Sequence, residues 1–180
     1  MLFHLILDIL MQAGASMSQL EEPTGSIRVR RAPLSAFDAD LNNCPDLFPV
    51  VAVLAAFCPG ESRILGVQRL RHKETDRAAA IEEMLTQMGV PVRTDDDEMT
   101  ITGMSLTQRL ATGKLLKGGS YASHADHRMV MALRLASLGA SAPIEIDNVD
   151  CVAKSFPDFN KVFTSLNAPC HSERSEESLE

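Results

Sequence analysis

Charged side chains that could carry acid–base chemistry are concentrated in RLRHKETDR, residues 69–77. The apolar residues after this stretch recur at helical spacing and predict a helix that the stretch opens and Gly89 ends. Counting back along the apolar stripe places Arg77 and Glu74 on the inward face, with Lys73 in the first turn. Buried charges need partners or a ligand, so the pattern predicts an anion site with its own acid or base. The alternative is an exposed, salt-bridged first turn.

Three further charged groups occur where a loop is predicted to become a helix. Asp46 follows Pro45 and precedes a long apolar run, Asp126-His127-Arg128 opens a second apolar helix, and Lys154 precedes the last one. Each has a plain structural interpretation when it is taken alone. Asp46 would be a helix N-terminal charge, Asp126 would cap its helix, and the histidine and the lysine would be surface residues. A guanidinium beside the histidine favours anion binding, because it pairs bidentately with phosphate or carboxylate.

Alternating helix and strand patterns predict an α/β chain. The predicted helices are 2–13, 47–57, the one opened by 69–77 and running to about 88, one from 126 to 139, and one carrying 159–166. The predicted strands are 15–17, 26–30, 63–67, 90–94, 99–102 and 144–146. The segment with Gly113, Gly118 and Gly119 is predicted to be a loop.

An internal repeat relates the two halves of the chain. LMQAGA, residues 10–15, matches LTQMGV, residues 85–90, and each is followed by a predicted hairpin, a loop, an apolar helix and a strand. Repeated units share one core, and their equivalent positions tend to lie on one face. The repeat therefore predicts that the charged groups before the helices converge on a single anion-binding site.

The composition restricts the class of protein. The chain has 180 residues, enough for one sizeable core, and a formal net charge of −7, which argues against a general nucleic-acid binder. Its four cysteines lack C-x-x-C spacing, so neither a zinc site nor a disulfide framework is indicated. The apolar start contains His4 and Asp8 and is predicted to be a helix rather than a membrane span or signal peptide. A cytoplasmic protein fits best, and residues 167–180 are predicted to be a disordered tail.

Four motifs in order resemble one family, the 3-phosphoshikimate 1-carboxyvinyltransferases, also called 5-enolpyruvylshikimate-3-phosphate synthases. The motifs are NCPD (43–46), RLRHKETDR (69–77), DHRM (126–129) and CVAKSFPD (151–158). The resemblance covers nearly everything from Met1 to Leu166 and places the chain in the C-terminal domain of such an enzyme. It implies repeated β/α units with inner helices and outer sheets, as in one domain of the inside-out barrel. About two of three units plus a closing helix are present in residues 1–166.

The resemblance also implies an enolpyruvyl transfer from phosphoenolpyruvate to shikimate 3-phosphate, with release of phosphate and without a metal or organic cofactor. Asp46 matches the carboxylate that contacts the shikimate hydroxyls and is proposed as proton acceptor. Lys73 and Arg69 match positions of the shikimate site. Glu74 matches the proposed acid that protonates the methylene carbon.

The remaining motif residues match the phosphoenolpyruvate side of the family's site. Arg77, Arg128 and Lys154 match its phosphate and carboxylate clamps, and His127 matches a histidine near the same group. Such chemistry needs a base for the hydroxyl, an acid for the carbon and fixed cations for two anionic substrates.

The whole N-terminal domain of the family is absent from this sequence, so the missing domain is an expected partner and the isolated chain is predicted to be inactive. Three alternatives stay open. The chain could be a non-catalytic module that binds a phosphorylated acid, a domain of the sister family that transfers enolpyruvate to UDP-N-acetylglucosamine, or a bare structural fragment. No membrane association or nucleic-acid partner is expected.

Overall fold

The computed structural model describes residues 2–19, 27–30, 32–71, 73 and 75–166. These residues form six α-helices and eight short strands arranged in three sheets. The first part is a helix followed by an antiparallel hairpin: α1 (Leu2–Gln12), β1 (Ser16–Gln19) and β2 (Ile27–Arg30). The predicted helix 2–13 and the hairpin after it are confirmed.

The central part is one complete strand–helix–strand–helix–hairpin unit. Its elements are β3 (Asp38–Asp40), α2 (Phe48–Ala56), β4 (Gly60–Leu65), α3 (Arg77–Gln87), β5 (Val92–Asp95) and β6 (Glu98–Gly103). The sheet order is β3-β4-β6-β5, with β3 and β4 parallel and the other pairs antiparallel. The crossover helix α2 connects the parallel pair β3–β4, and a tight turn connects the antiparallel pair β5–β6.

The last part repeats the first half of that unit. Its elements are α4 (Leu106–Thr112), β7 (Gly119–Tyr121), α5 (His127–Ser137), β8 (Ile144–Ile146) and α6 (Phe159–Leu166). Strands β7 and β8 are parallel, so β7–α5–β8 corresponds to β3–α2–β4, and α6 corresponds to α3. The repeat predicted from sequence is thus present, as one complete unit between two partial ones.

The core lies around α2, the most apolar helix. Phe48, Val51, Ala52 and Ala55 have no exposed surface, and α2 packs on α5, α3 and the central sheet. Pro49 is tolerated in the first turn, where its missing N–H has no helical partner to lose. Helix α2 therefore lies inside, against the central sheet, which agrees with the inner helices and outer sheets that the resemblance implied.

The helix predicted to be opened by residues 69–77 begins later, at Arg77. Asp76 has non-helical dihedrals and accepts a hydrogen bond from the Ala79 N–H at 3.1 Å, so it is the N-cap. Arg69 lies in a separate 3-10 turn, Val67–Leu70, that is held by the Asp97 carbonyl and carboxylate. Lys73 is consequently in the connecting loop, and its predicted placement in the first helical turn is wrong.

Two further predictions need correction. The predicted loop between β6 and α5 contains helix α4, which starts with a capping box between Ser105 and Gln108, and the short strand β7. The strand predicted at 63–67 is shifted to Gly60–Leu65, because Gly66 turns the chain with a φ of 110°. The tail prediction for 167–180 concerns residues outside the described ones. No helix among the described residues is long and apolar enough to span a membrane.

Candidate functional site

Asp46 stands at the centre of a cluster of cations. It lies in the 3-10 turn Pro45–Leu47, directly before α2, and its side chain is 42% exposed. Its Oδ1 accepts a hydrogen bond from Arg77 Nη1 at 3.1 Å and lies 3.8 Å from Lys73 Nζ. Its Oδ2 accepts a hydrogen bond from Arg128 Nη2 at 3.3 Å. One partly open carboxylate is therefore contacted by three basic side chains.

Arg77 is the buried member of the cluster, with a side chain only 1% exposed. Its Nε donates to Asp126 Oδ2 at 2.8 Å, while Nη1 donates to Asp46. A buried guanidinium needs such charge-assisted partners, because its desolvation is otherwise uncompensated. The inward face predicted for Arg77 is confirmed, and the alternative of an exposed first turn is wrong for this residue.

Asp126 holds two elements together. It is fully buried and caps α5, since its Oδ1 accepts a hydrogen bond from the Arg128 N–H at 2.8 Å. Its second oxygen pairs with Arg77, so α3 and α5 meet through one carboxylate. The loop before it is tight: His124 and Ala125 both adopt left-handed dihedrals, with φ values of 54°. The capping role predicted for Asp126 is confirmed.

The cluster keeps Asp46 ionised. Partial burial opposes ionisation of this carboxyl group, but the Arg128 charge, the hydrogen bond from Arg77 and the Lys73 charge outweigh it. The pKa of Asp46 therefore lies below its usual value. At neutral pH the group is a carboxylate, the form that can accept a proton.

The cluster has unused capacity for an anion. Three basic side chains, those of Lys73, Arg77 and Arg128, lie around the carboxylate of Asp46. The Nε of Arg128 is buried and has no hydrogen-bond partner among the described residues. An unpaired buried donor beside an excess of positive charge is a site that an acidic ligand would complete.

The other predicted site residues are placed less directly. His127 is the first residue of α5, with a side chain 16% exposed and its Nδ1 4.0 Å from Asp126. Lys154 ends the 3-10 turn Val149–Lys154. Burial raises the pKa of the Cys151 thiol, and the nearby charge of Lys154 opposes this rise. For Arg69 and Lys154 the structure shows no side-chain hydrogen bond or ion pair with a described residue. Glu74 lies outside the described residues.

The sequence missed the second role of Asp126. The capping role alone accounts for an aspartate at this position, so nothing in the sequence indicated a second partner. In addition, Arg77 lies 49 positions away along the chain. The signal that the sequence offered was a guanidinium on a predicted inward face, because a buried guanidinium needs charged partners.

The geometry agrees with what comparison with known proteins finds. A family model described as EPSP synthase (3-phosphoshikimate 1-carboxyvinyltransferase) matches residues 2–163. The chain belongs to the EPSP synthase family. A 3-phosphoshikimate 1-carboxyvinyltransferase from Halobacterium salinarum is 37% identical over 163 residues, which cover 91% of this chain and 36% of the relative. Another, from Parvibaculum lavamentivorans, is 37% identical over 168 residues, covering 88% and 36%.

Solved structures of the family share the fold. An EPSP synthase from Acinetobacter baumannii superposes with a TM-score of 0.74 at 27% identity, covering 89% of this chain and 38% of that one. The enolpyruvyl transferase NikO from Streptomyces tendae reaches a TM-score of 0.66 at 16% identity, covering 91% and 35%, which shows a shared fold. The chain thus spans little more than a third of the length of these relatives.

Proposed function

We propose that this chain forms one wall of the active site of an EPSP synthase, in which the enolpyruvyl group of phosphoenolpyruvate is transferred to shikimate 3-phosphate. The observation that carries the proposal is the convergence of Lys73, Arg77 and Arg128 on Asp46. Both substrates are strongly anionic, so fixed cations are needed to bring them together. The names of the 37% identical relatives favour shikimate 3-phosphate over a UDP-sugar acceptor.

In this proposal Asp46 accepts the proton of the shikimate hydroxyl as its oxygen attacks phosphoenolpyruvate. The methylene carbon takes a proton from Glu74 and becomes a methyl group. Phosphate then leaves while this methyl group returns a proton to Glu74, and the carbon–carbon double bond forms again. Arg77, Arg128 and Lys154 bind the phosphate and carboxylate groups, Lys73 and Arg69 bind shikimate 3-phosphate, and His127 lies beside the reacting group. The reaction requires no metal ion or organic cofactor.

The missing partner in the proposal is the N-terminal domain of the same enzyme. Because the chain spans about 36% of its relatives, we expect no turnover by the chain alone. The test is phosphate release from phosphoenolpyruvate and shikimate 3-phosphate, measured with the chain alone and with an N-terminal half supplied from the Halobacterium salinarum relative. Release only in the mixture supports the proposal, whereas full-rate release by the chain alone contradicts the expected dependence on a partner.

A second candidate is a module that binds a phosphorylated acid without chemistry, and the unpaired Arg128 Nε favours it. Calorimetric titration of shikimate 3-phosphate into the chain tests this binding. Arg128→Gln should weaken binding at least tenfold, whereas Arg93→Gln, on an exposed strand position outside the cluster, should leave it unchanged. Binding without phosphate release in the reconstituted mixture would favour the module over the enzyme.

A further inference from the structure

The hairpin turn between β5 and β6 contacts the start of the 3-10 turn that carries Arg69. The Asp97 carbonyl oxygen accepts hydrogen bonds from the Gly66 N–H at 2.9 Å and from the Val67 N–H at 3.2 Å. The Asp97 carboxylate accepts a third from the Gln68 N–H at 2.9 Å. The first hydrogen bond within the turn itself runs from the Arg69 N–H to the Gly66 carbonyl. Asp97 thus provides acceptors for the three N–H groups that precede this bond and have no acceptor in the turn.

The 3-10 turn has no cap of its own. Gly66 is at its N-cap position with a φ of 110°, and glycine has no side chain that could accept a hydrogen bond. A Cβ at this position would lie 2.9 Å from the backbone N of Asn42, so the turn also packs closely on the loop that leads to Asp46. The capping acceptor comes instead from Asp97, which lies 29 positions after Gln68. The place of the turn beside the site therefore depends on the hairpin.

Arg69 is on the solvent side of this turn. Val67 and Leu70, three residues apart, have no exposed surface. Residues at this spacing lie on the same side of a 3-10 helix, so Gln68 and Arg69 lie on the other side, and both are exposed. The Gln68 side chain donates to Asp96 Oδ1 at 3.0 Å, which ties it to the hairpin. Because the Arg69 side chain makes no hydrogen bond or ion pair with a described residue, its guanidinium is available to a ligand.

We propose that Asp97 is a positioning residue for shikimate 3-phosphate and acts by fixing the turn that presents Arg69. This role rests on the proposed function, in which Arg69 binds that substrate, and it extends the site to a hairpin outside the four motifs. An arginine on a fixed backbone loses less freedom when it binds an anion, which favours affinity. Charge alone predicts the opposite effect, because a carboxylate beside the turn repels an anionic substrate and its removal would tighten binding.

The test is calorimetric titration of shikimate 3-phosphate into the whole chain, with the N-terminal half of the Halobacterium salinarum relative present. We expect Asp97→Ala to weaken binding at least fivefold, because the acceptor of the Gln68 N–H is lost. The bonds to the Asp97 carbonyl remain, so the chain should stay folded, which circular dichroism checks. Asp97→Asn retains an oxygen acceptor and should bind within twofold of the unaltered chain.

The matched control is Asp95→Ala. It removes the same charge from the same hairpin, at an exposed position whose side chain makes no hydrogen bond to the 3-10 turn among the described residues. It should bind within twofold of the unaltered chain. Binding by Asp97→Ala that is unchanged or tighter, or a loss for Asp95→Ala as large as that for Asp97→Ala, overturns the proposal.

A double-mutant cycle with Arg69→Gln separates positioning from a general structural defect. If Asp97 acts through Arg69, Asp97→Ala should weaken binding by less than twofold when Arg69→Gln is already present. A loss of the full size in that background overturns the proposal. If Arg69→Gln weakens binding and Asp97→Ala does not, only the positioning role fails. If the unaltered chain does not bind shikimate 3-phosphate, or Arg69→Gln leaves binding unchanged, the proposed role of Arg69 fails together with that of Asp97.

Discussion

At the scale of single residues, the site depends on a guanidinium that is buried between two carboxylates. Arg77 has almost no exposed surface, yet it donates to Asp126 on one side and to Asp46 on the other. Removing one partner of a buried pair leaves a charge without compensation, which typically costs more than the intact pair contributes. The stability of the chain should therefore be sensitive to the partner of Arg77 that is itself fully buried.

Asp126→Asn tests this dependence, because asparagine still caps a helix but no longer carries the charge. We expect the free energy of unfolding to fall by roughly 3 kcal/mol, as for a broken buried ion pair. Asp76→Asn is the matched control: Asp76 also caps a helix, α3, but it is exposed. It should change stability by less than about 0.5 kcal/mol. Equal losses in urea unfolding for both variants would show that a negative charge at the helix N-terminus, and not the pairing with Arg77, explains the role of Asp126.

The lowered pKa of Asp46 predicts a dependence of stability on pH. A carboxyl group whose pKa is lower in the folded state stabilises the protein fully when the pH is above its pKa in the unfolded state, about 4. This stabilisation is lost as the pH falls through the pKa of the folded state. Asp46→Asn should thus be less stable at pH 7, by about 1 kcal/mol or less since the side chain is partly solvated. The difference should shrink on acidification below about pH 4.

Urea unfolding of the unaltered chain and of Asp46→Asn between pH 3 and 7 measures the difference in their free energies of unfolding. Asp95→Asn, at an exposed position in the β5–β6 hairpin, should differ little from the unaltered chain at any pH. If the stability difference between Asp46→Asn and the unaltered chain stays constant across this pH range, ion pairing of Asp46 is not its cause.

Much of the residue scale could be predicted from sequence. Helical spacing identified the inward face of Arg77. The repeat predicted that Asp46, Arg77 and Arg128 would meet, but it also included Lys154, for which the structure shows no ion pair with a described residue. The contacts themselves could not be predicted, because they depend on the left-handed turn at His124 and Ala125, where no glycine or asparagine marks it. The functional roles of the site residues stay predictions.

At the scale of elements, β6 ends against the C-terminal turn of α2 with no room for a side chain. A Cβ at Gly103 would lie 2.1 Å from the Ala55 carbonyl oxygen and 2.2 Å from that of Cys58. Gly103→Ala should therefore push the sheet away from α2 and cost about 2–3 kcal/mol of stability, as overpacking does.

The control for this effect is Gly113→Ala. Gly113 has a φ of 67° at the end of α4, but a Cβ there meets nothing within 4 Å. Only the left-handed backbone is strained, which costs about 1 kcal/mol. Thermal or urea unfolding of the two variants separates them, and a Gly113→Ala loss as large as that of Gly103→Ala would contradict the steric explanation.

Helices with an apolar stripe or a long apolar run were predictable. Helices α3 and α5 have an apolar stripe, and α2 is apolar on all sides. Helix α4 was missed because Leu106 and Leu110, its larger apolar residues, are exposed and form no core stripe. The start of α3 was predicted too early, because the charged stretch 69–76 contains good helix formers. The helix begins only at Arg77, where Asp76 caps it.

At the scale of the whole molecule, the complete unit is central and the partial units are peripheral. The described residues of α6 include none that are buried, whereas α2, β4 and β6 form the densest packing. Amide hydrogen exchange should therefore be slowest in α2, β4 and β6 and fastest in α6 and the β1–β2 hairpin. Mass spectrometry of the exchanged chain checks this order, and protection of α6 equal to that of α2 would contradict it.

The unit boundaries were the part of the architecture that sequence could not locate. The match of residues 10–15 with 85–90 indicated a helix–hairpin–helix–strand repeat, which leaves out the strand before each apolar helix, β3 or β7. Pairing of β4 with β6 shows that the central sheet closes within one strand–helix–strand–helix–hairpin unit. Sheet pairing joins distant residues, so no local pattern reveals which hairpin belongs to which strand pair.

The separations of the ion-cluster residues along the chain imply an order of assembly during folding. Asp46 and Arg77 are 31 residues apart and lie in the complete unit, whereas Arg77 and Asp126 are 49 apart and Asp46 and Arg128 are 82 apart. Closing a longer loop costs more entropy, and contacts of low sequence separation form sooner. The central unit can therefore bring Arg77 to Asp46 while the chain beyond Gly103 is still unstructured. Asp126 and Arg128 arrive only when α5 docks, so the anion site is completed by that last step of folding.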